Sequence, residues 1–162
     1  MNNTEEVPIR DAATVILLRK KKDSTYVLMG QRGNKAVFMP SKYVFPGGAV
    51  DEDDSKVKLF KSIDEKGIDL LHQYSKKKIA KELCVAAIRE LWEEAGLRLC
   101  AKVDNVGTIS QGWEDFCNNT FLPDASSLEY VFRAITPPGR PRRFDARFFI
   151  CRAENILSLI HI

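Results

Sequence analysis

The nine residues from Arg89 to Leu97, Arg-Glu-Leu-Trp-Glu-Glu-Ala-Gly-Leu, constrain the fold of this chain more than any other stretch. On a helix, positions i, i+3 and i+4 share a face, so Glu90, Glu93 and Glu94 project together. Gly96 suits the left-handed residue that closes many helices. The stretch therefore predicts a helix that ends at Gly96, with an acidic face and an opposite apolar face formed by Ala87, Ile88, Leu91 and Ala95.

The three carboxylates would repel one another if they were packed side by side on a helix. A divalent cation would remove that penalty, because hard ions such as Mg²⁺ take a few carboxylates together with water and substrate phosphates. The competing interpretation is a solvated acidic helix face. Both interpretations stay open on this stretch alone.

A glycine turn lies upstream, in Phe45-Pro46-Gly47-Gly48. With it, the chain resembles the Nudix hydrolase superfamily, whose box reads Gly, five residues, Glu, seven residues, then Arg-Glu-apolar-x-Glu-Glu-x-Gly-apolar. Arg89 to Leu97 matches the second half at every specified position, and Gly48 matches the glycine. The resemblance implies an α/β/α sandwich with a mixed β-sheet, formed by one domain over residues 1–162. It also implies hydrolysis of a diphosphate linkage in a nucleoside diphosphate joined to another group.

The resemblance also assigns roles to residues of the box. Mg²⁺ or Mn²⁺ would bind the carbonyl of Gly48 and the side chains of Glu90, Glu93 and Glu94. Those three acids and Arg89 form the expected catalytic set, in which Arg89 orients the helix rather than reacting.

In such enzymes, the general base is either a residue of the box or a glutamate in a later loop. Glu114 and Glu129 are the candidates here, although each is also typical of a surface acid.

The interval between glycine and arginine departs from the compact box. Gly48 and Arg89 are 41 positions apart, which is 27 more than the pattern has. Counting forward from Gly48 places the first box acid at Asp54, whereas counting back from Arg89 places it at Lys81, beside Glu82. The residue that pairs with the arginine therefore has two candidate positions.

The insertion, at about residues 54–81, is rich in lysine and carries apolar residues at rough helical spacing. We expect one or two short amphipathic helices, broken near Gly67. A solvated excursion is the preferred interpretation, because long loop insertions are often tolerated. The alternative is a cap near the site, with lysines facing phosphates.

A basic connection, Pro137-Pro-Gly-Arg-Pro-Arg-Arg143, joins two strands predicted at 129–136 and 144–151. This region resembles a branch of the superfamily with a long insertion in the box, which includes peroxisomal coenzyme A diphosphatases. Because a guanidinium bonds two phosphate oxygens at once, Arg142 and Arg143 are predicted to bind substrate. A solvated hairpin tip is the alternative for Arg140 and Arg142. The dedicated coenzyme A signature is not matched by residues 31–34, so dinucleotides, nucleotide sugars and NADH remain open substrates.

Apolar, β-branched runs predict further strands at 12–18, 26–32 and 43–45, with loops at 19–24 and 35–42. The box helix should begin between Lys77 and Glu82. Residues 97–101 lead into another strand, and a further strand is expected at Val106 to Ile109. Residues 111–116 are read as a loop or short helix.

Length, charge and cysteines narrow the functional class. The 162 residues carry a net charge of +3, which is weak evidence for a nucleic-acid partner. There is no apolar run of transmembrane length and no signal-peptide pattern at the N-terminus, so we expect no membrane partner and a cytoplasmic location. The four cysteines lack CxxC spacing, which favours reduced thiols. A non-catalytic nucleotide-binding module and a nucleic-acid-binding protein are the rival functions.

The C-terminus is short and apolar. Eleven residues follow Cys151, whereas relatives continue with a strand and a helix that covers one sheet face. We therefore expect the tail, or the sheet face that it leaves open, to pack against a second copy of the chain. The competing expectation is a monomer in which the tail folds back as a short helix or strand.

Overall fold

The computed structural model describes residues 7–34 and 41–158, so part of the loop predicted at 35–42 and the last four residues lie outside the described range. Within these residues there are three α-helices: α1 (Glu65–Gln73), α2 (Ala80–Ala95) and α3 (Glu114–Cys117). The strands are β1 (Ile9–Lys21), β2 (Ser24–Val27), β3 (Gly30–Gln31), β4 (Tyr43–Val44), β5 (Gly47–Ala49), β6 (Leu97–Arg98), β7 (Cys100–Lys102), β8 (Phe121–Pro123), β9 (Glu129–Ile135), β10 (Arg143–Arg152) and β11 (Leu157–Ser158).

The main sheet has the order β2-β1-β10-β9, and β5 pairs with β1 on the same edge as β2. β1 and β10 are parallel, whereas the other pairs of this sheet are antiparallel. The predicted mixed α/β class is therefore confirmed. β1 is longer than the run expected at 12–18, because its polar end continues as a ladder with β2.

Alternation along β1 and β10 divides the sheet into two faces. Ala13, Val15 and Leu17 of β1 are buried on one face together with Phe149 and Cys151 of β10. All three helices contribute side chains to the same core cluster. The opposite face is partly exposed: Phe132 stacks on Phe148 at 4.1 Å between ring centroids, yet it is 47% exposed. Apolar surface is therefore left open on that side of the sheet.

The insertion is part of the core, which contradicts the preferred expectation of a solvated excursion. Val57, Ile63 and Leu71 are each buried within the main cluster. The expected break near Gly67 is also wrong, because Gly67 lies in the first turn of α1, where its N–H donates to the Asp64 side chain at 2.7 Å. Ile63 occupies the space that a side chain at this position would need.

Two further expectations are corrected by local backbone chemistry. Val106 to Ile109 do not form a strand, because Gly107 has a φ of +69° and its N–H donates to the Asn105 side chain, which makes a turn. The strand expected at 26–32 is interrupted at residues 28 and 29, between β2 and β3.

The described part of the C-terminal tail folds back onto the protein. Residues 153–155 form one 3-10 turn, and β11 then pairs antiparallel with β6, opposite Leu97 and Arg98. Ile156 packs against the core. None of the helices in the described part of the chain is both long and apolar enough to cross a membrane.

Candidate active site

The acidic face lies on α2, which begins at Ala80 and ends where Gly96, with a φ of +66°, closes it, as predicted. Ala87, Ile88 and Leu91 are fully buried and fix the rotation of the helix on the sheet. That rotation leaves Glu90, Glu93 and Glu94 on the side that faces β5 and solvent. Burial of the apolar face therefore determines where the carboxylates point.

Arg89 anchors this helix to the glycine turn. Its Nε donates to Oδ1 of Asp54 at 3.0 Å, and Nη2 donates to Oδ2 of Asp54 at 3.2 Å and to the carbonyl of Ala49 at 2.9 Å. Nη1 donates to Glu90 at 2.9 Å and, more weakly, to Glu93 at 3.5 Å. Burial alone would lower the pKa of Arg89, but the hydrogen bonds and charge of Asp54 outweigh it and raise the pKa.

The Asp54–Arg89 pair resolves the ambiguity of the box. Asp54 is 1% exposed and holds the arginine through both carboxylate oxygens. By contrast, the Lys81 ammonium donates to the carbonyl of Ser55. The count forward from Gly48 is therefore the one that the structure supports, and the insertion follows the acid. Sequence reasoning missed Asp51, whose Oδ2 lies 3.6 Å from Arg89 Nη2.

The two glycines of the turn let the helix approach the sheet. The N–H of Gly47 donates to Oε2 of Glu94 at 3.2 Å. A Cβ at Gly48 would lie 2.1 Å from Oε1 of Glu90, and one at Gly47 would lie 2.5 Å from the carbonyl oxygen of Ala13. Gly48 therefore accommodates the carboxylate, whereas Gly47 accommodates the neighbouring strand.

Burial has the largest effect on the pKa values of the buried carboxylates in the cluster. Burial raises the pKa of Glu90 despite the nearby Arg89. Burial also raises the pKa of Glu94, whereas the Gly47 N–H and the charge of Arg32 lower it. Both carboxylates therefore lose part of their hydration at this turn, which disfavours their charged forms.

The donor set has the chemistry that a hard divalent cation requires. Glu90, Glu93, Glu94 and the carbonyl of Gly48 are oxygen donors of the type that Mg²⁺ and Mn²⁺ take. Within residues 7–34 and 41–158, however, no three acidic, histidine or cysteine side chains are already gathered as a ligand set. Glu90 is instead hydrogen-bonded to Arg89, and Glu94 to Gly47. The carboxylates match such a metal in the type of donor atom that they offer.

The structure does not bring Arg142 and Arg143 to the carboxylates. Arg143 is buried and opposes Ile9 on β1, whereas Gly48 opposes Ala13. Four residues of a strand span about 13 Å. Arg143 Nε donates to the carbonyl of Thr136 at 3.2 Å, and Arg142 is exposed. Their predicted role in substrate binding would concern a distant part of a long substrate.

The two candidates for the general base lie in different surroundings. Glu114 is exposed in α3, next to Phe116, whose ring packs edge-on against Trp92 of α2 at 5.9 Å. Glu129 is on β9, which is separated from β5 by β1 and β10. Three strand spacings amount to about 14 Å. Trp92 follows Glu90 by two positions and so lies on another face of α2, and neither glutamate is placed beside the three carboxylates.

No protein-family model matches the chain. The chain is 30% identical over 166 residues to the Caenorhabditis elegans protein provisionally named nudix hydrolase 7, a match that covers 90% of this chain and 45% of that protein. The chain thus spans less than half the length of this curated relative.

Among solved structures, a NUDIX hydrolase from Alicyclobacillus acidocaldarius has a TM-score of 0.66 and 26% identity, covering 91% of this chain and 71% of the other. A Nudix hydrolase from M. smegmatis, RenU, and the C. elegans Ap4A hydrolase are more distant, with TM-scores of 0.43 and 0.40, identities of 14% and 16%, and coverage of 93% and 95% of this chain. The C. elegans relative and the A. acidocaldarius structure show that the chain is similar to Nudix hydrolases. They do not distinguish the branch that includes coenzyme A diphosphatases.

Proposed function

We propose that this chain hydrolyses a diphosphate linkage in a nucleoside diphosphate joined to another group, in a reaction that depends on a divalent metal. One observation carries the proposal: the Asp54–Arg89 pair fixes α2 so that Glu90, Glu93 and Glu94 lie beside the Gly47–Gly48 turn. The similarity to named Nudix hydrolases supports the same conclusion.

Glu90, Glu93, Glu94 and the carbonyl of Gly48 would hold Mg²⁺ or Mn²⁺. Such an ion, when bound, neutralises phosphate charge and lowers the pKa of a bound water. The protein contributes the position of the carboxylates: Arg89 fixes the helix, and the Gly47 N–H directs Glu94. Glu114 is the side chain that we propose as general base, since Glu129 lies three strands away from the glycine turn.

The sequence resemblance leaves several substrates open, all with the same kind of linkage. Coenzyme A, dinucleotide polyphosphates, nucleotide sugars and NADH all contain the required linkage. We propose that Arg142 or Arg143 binds the end of the substrate remote from the metal. Arg142→Ala should then raise KM by about tenfold or more, because a charge-assisted hydrogen bond contributes roughly 1.5–3 kcal/mol. Unchanged kinetics in Arg142→Ala and Arg143→Ala would return this stretch to a solvated hairpin tip.

Hydrolysis of a panel of these compounds with Mg²⁺ and with Mn²⁺ tests the proposal. The wild type should cleave at least one, and Glu93→Gln should lower kcat by about 10²- to 10³-fold, the size typical of removing a group that stabilises transition-state charge. The unfolding midpoint of Glu93→Gln should stay near that of the wild type, because Glu93 is half-exposed. Tight nucleotide binding without turnover would indicate a non-catalytic module, and salt-dependent oligonucleotide binding a nucleic-acid protein.

We further propose a cytoplasmic enzyme that self-associates through the partly exposed sheet face around Phe132 and Phe148. Apolar surface of this kind is commonly covered by a partner. Size-exclusion chromatography with light scattering should show a dimer for the wild type and a monomer for Phe132→Glu. A wild-type monomer at tens of micromolar would contradict the proposal.

A further inference from the structure

A groove of about 710 Å³ lies between the β1–β2 hairpin and the chain that follows β10. Its apolar lining includes Leu17, Leu28, Leu97 and Ile156. Leu17 belongs to the buried core, and the other three side chains are half-buried against that core. Because small-molecule sites commonly have volumes of about 300–1,000 Å³, this hairpin groove is large enough to hold a small organic ligand.

The hairpin forms one wall of the groove. The pairing of β1 with β10 ends at Leu18, and the described part of the chain pairs Arg19 only with Tyr26 of β2. Leu28 N–H donates to the carbonyl of Leu17 at 3.0 Å, so these two leucines are also opposed. Opposed residues share a face, and alternation along β1 puts Leu17 and Arg19 on the same one. A guanidinium and a phenol ring therefore stand beside the apolar lining.

The charged side chains of the groove are not neutralised. Arg19 and Lys20 both line it and are exposed, and neither makes a hydrogen bond or an ion pair with another described residue. Glu154, from the 3-10 turn at 153–155, also lines the groove and likewise makes no ion pair within the described residues. Two cations and one acid leave an excess of positive charge next to apolar surface. An anion with an apolar body matches both properties.

The groove is separate from the acidic cluster. Gly48 opposes Ala13 on β1, and Leu17 lies four residues further along that strand. Four residues of a strand span about 13 Å. None of the three carboxylates on the acidic face of α2 lines the groove. A ligand in the groove would therefore occupy a second site, away from the glycine turn.

We propose that the hairpin groove binds a small organic anion with a flat apolar body. The body would lie on Leu17, Leu28 and Leu97, with its ring against Tyr26, which is 56% exposed and free to stack. The negative group would lie at Arg19 and Lys20. This inference does not depend on the hydrolase function, because no residue of the proposed catalytic set takes part in it.

Fluorescence titration with anilinonaphthalene sulfonate tests the charge of the ligand. N-phenylnaphthylamine is the uncharged comparison ligand, since it has the same rings without the sulfonate. Arg19→Gln/Lys20→Gln should weaken sulfonate binding by about tenfold or more and leave the uncharged dye unaffected, because charge-assisted contacts are lost. The matched control is Lys21→Gln/Arg152→Gln, which removes the same charge from two exposed residues outside the groove and should bind both dyes as the wild type does.

A second pair of variants tests the ring contact. Tyr26→Ala should weaken both dyes by about threefold or more, since aromatic stacking does not require the sulfonate. Tyr43→Ala is the control, because Tyr43 is 63% exposed and lies outside the groove. Near-ultraviolet circular dichroism of each variant should match that of the wild type. ADP with Ca²⁺ should not displace either dye, as the two sites are separate.

Several results would overturn the proposal. One is a wild type that binds neither dye, and another is equal sulfonate affinity in the two double variants. If Phe132→Ala removes dye binding while Tyr26→Ala keeps it, the dyes occupy the open sheet face instead. Displacement by ADP would contradict a separate site. If light scattering shows a wild-type dimer that Tyr26→Ala converts to a monomer, the groove is an interface between copies. Absence of hydrolysis alone would sink the proposed function and leave this site in place.

Discussion

Two charge clusters, each centred on an arginine, differ in how well their charges are balanced. Arg147 is 1% exposed and lies 2.6 Å from Asp11 and 3.3 Å from Asp145. Lys77 binds the other oxygen of Asp11, and Arg133 binds both oxygens of Asp145. This cluster holds two acids and three bases.

Arg89 is the centre of the other cluster, and it lies within 4 Å of four carboxylates: Asp51, Asp54, Glu90 and Glu93. The first cluster has no excess of acids and would gain nothing from a cation, so it stabilises the packing of the insertion and β1 against β10. The second has an excess of acids beside an open turn, where a cation would relieve repulsion. We therefore assign a structural role to the Arg147 cluster and a role in cation binding to the Arg89 cluster.

Removal of Arg147 should have the largest effect on stability. Arg147→Met leaves Asp11 and Asp145 partly buried without their central partner, and breaking a buried pair costs about 3–5 kcal/mol. Urea unfolding measures the loss. Arg133→Met, which removes a more exposed partner of Asp145, is the control and should cost less. If both variants unfold like the wild type but lose activity, the Arg147 cluster belongs to the site and the division into two roles is wrong.

The two glycines of the turn offer a smaller and more selective test. Gly47→Ala would drive a methyl group into the backbone of β1, so it should destabilise the fold by about 1–3 kcal/mol. Gly48→Ala would meet only the flexible end of Glu90, so the fold should survive while the carboxylate moves. A displacement of about 1 Å can lower kcat by about 10²-fold. Equal stability and equal activity of the two variants would contradict this assignment.

The smallest effect concerns acid stability. Burial raises the pKa of Asp11, but hydrogen bonds from Lys77 and Arg147 outweigh it, so the pKa is below its usual value of 3.8. The unfolded chain therefore binds the proton more readily, and the stability that Asp11 contributes is present above its unfolded pKa and lost as pH falls through the folded pKa. Asp11→Asn should be less stable at pH 7 and show a shallower decline below about pH 4 in urea titrations. A decline parallel to that of the wild type would exclude Asp11 as a cause.

The acidic helix and its glycine stop were predictable because local rules determine them. The spacing of Glu90, Glu93 and Glu94, the apolar face and Gly96 all act within one helix. Most strands were predictable from apolar runs. β9 and β10, for example, are continuous strands that pair with each other. These elements depend on patterns among residues that are close together in the sequence.

The remaining features of the fold and the site could not be predicted, because they depend on contacts between residues that are distant in sequence. Asp54 and Arg89 are 35 positions apart, and only the fold shows that the intervening insertion leaves them paired. The same holds for Arg147 and Asp11, which are 136 positions apart. Lysine content suggested a solvated insertion, whereas Val57, Ile63 and Leu71 pack in the core.

The central claim, that the acid-rich cluster holds a divalent cation, is tested most directly by titrating the protein with Mn²⁺ and following free Mn²⁺ by electron paramagnetic resonance. The wild type should deplete the free signal, and Glu93→Gln/Glu94→Gln should weaken binding by about 10- to 100-fold or more. Asp69→Asn, an exposed acid on α1, should bind as the wild type does. Equal Mn²⁺ affinity in the wild type and the double variant would contradict the account.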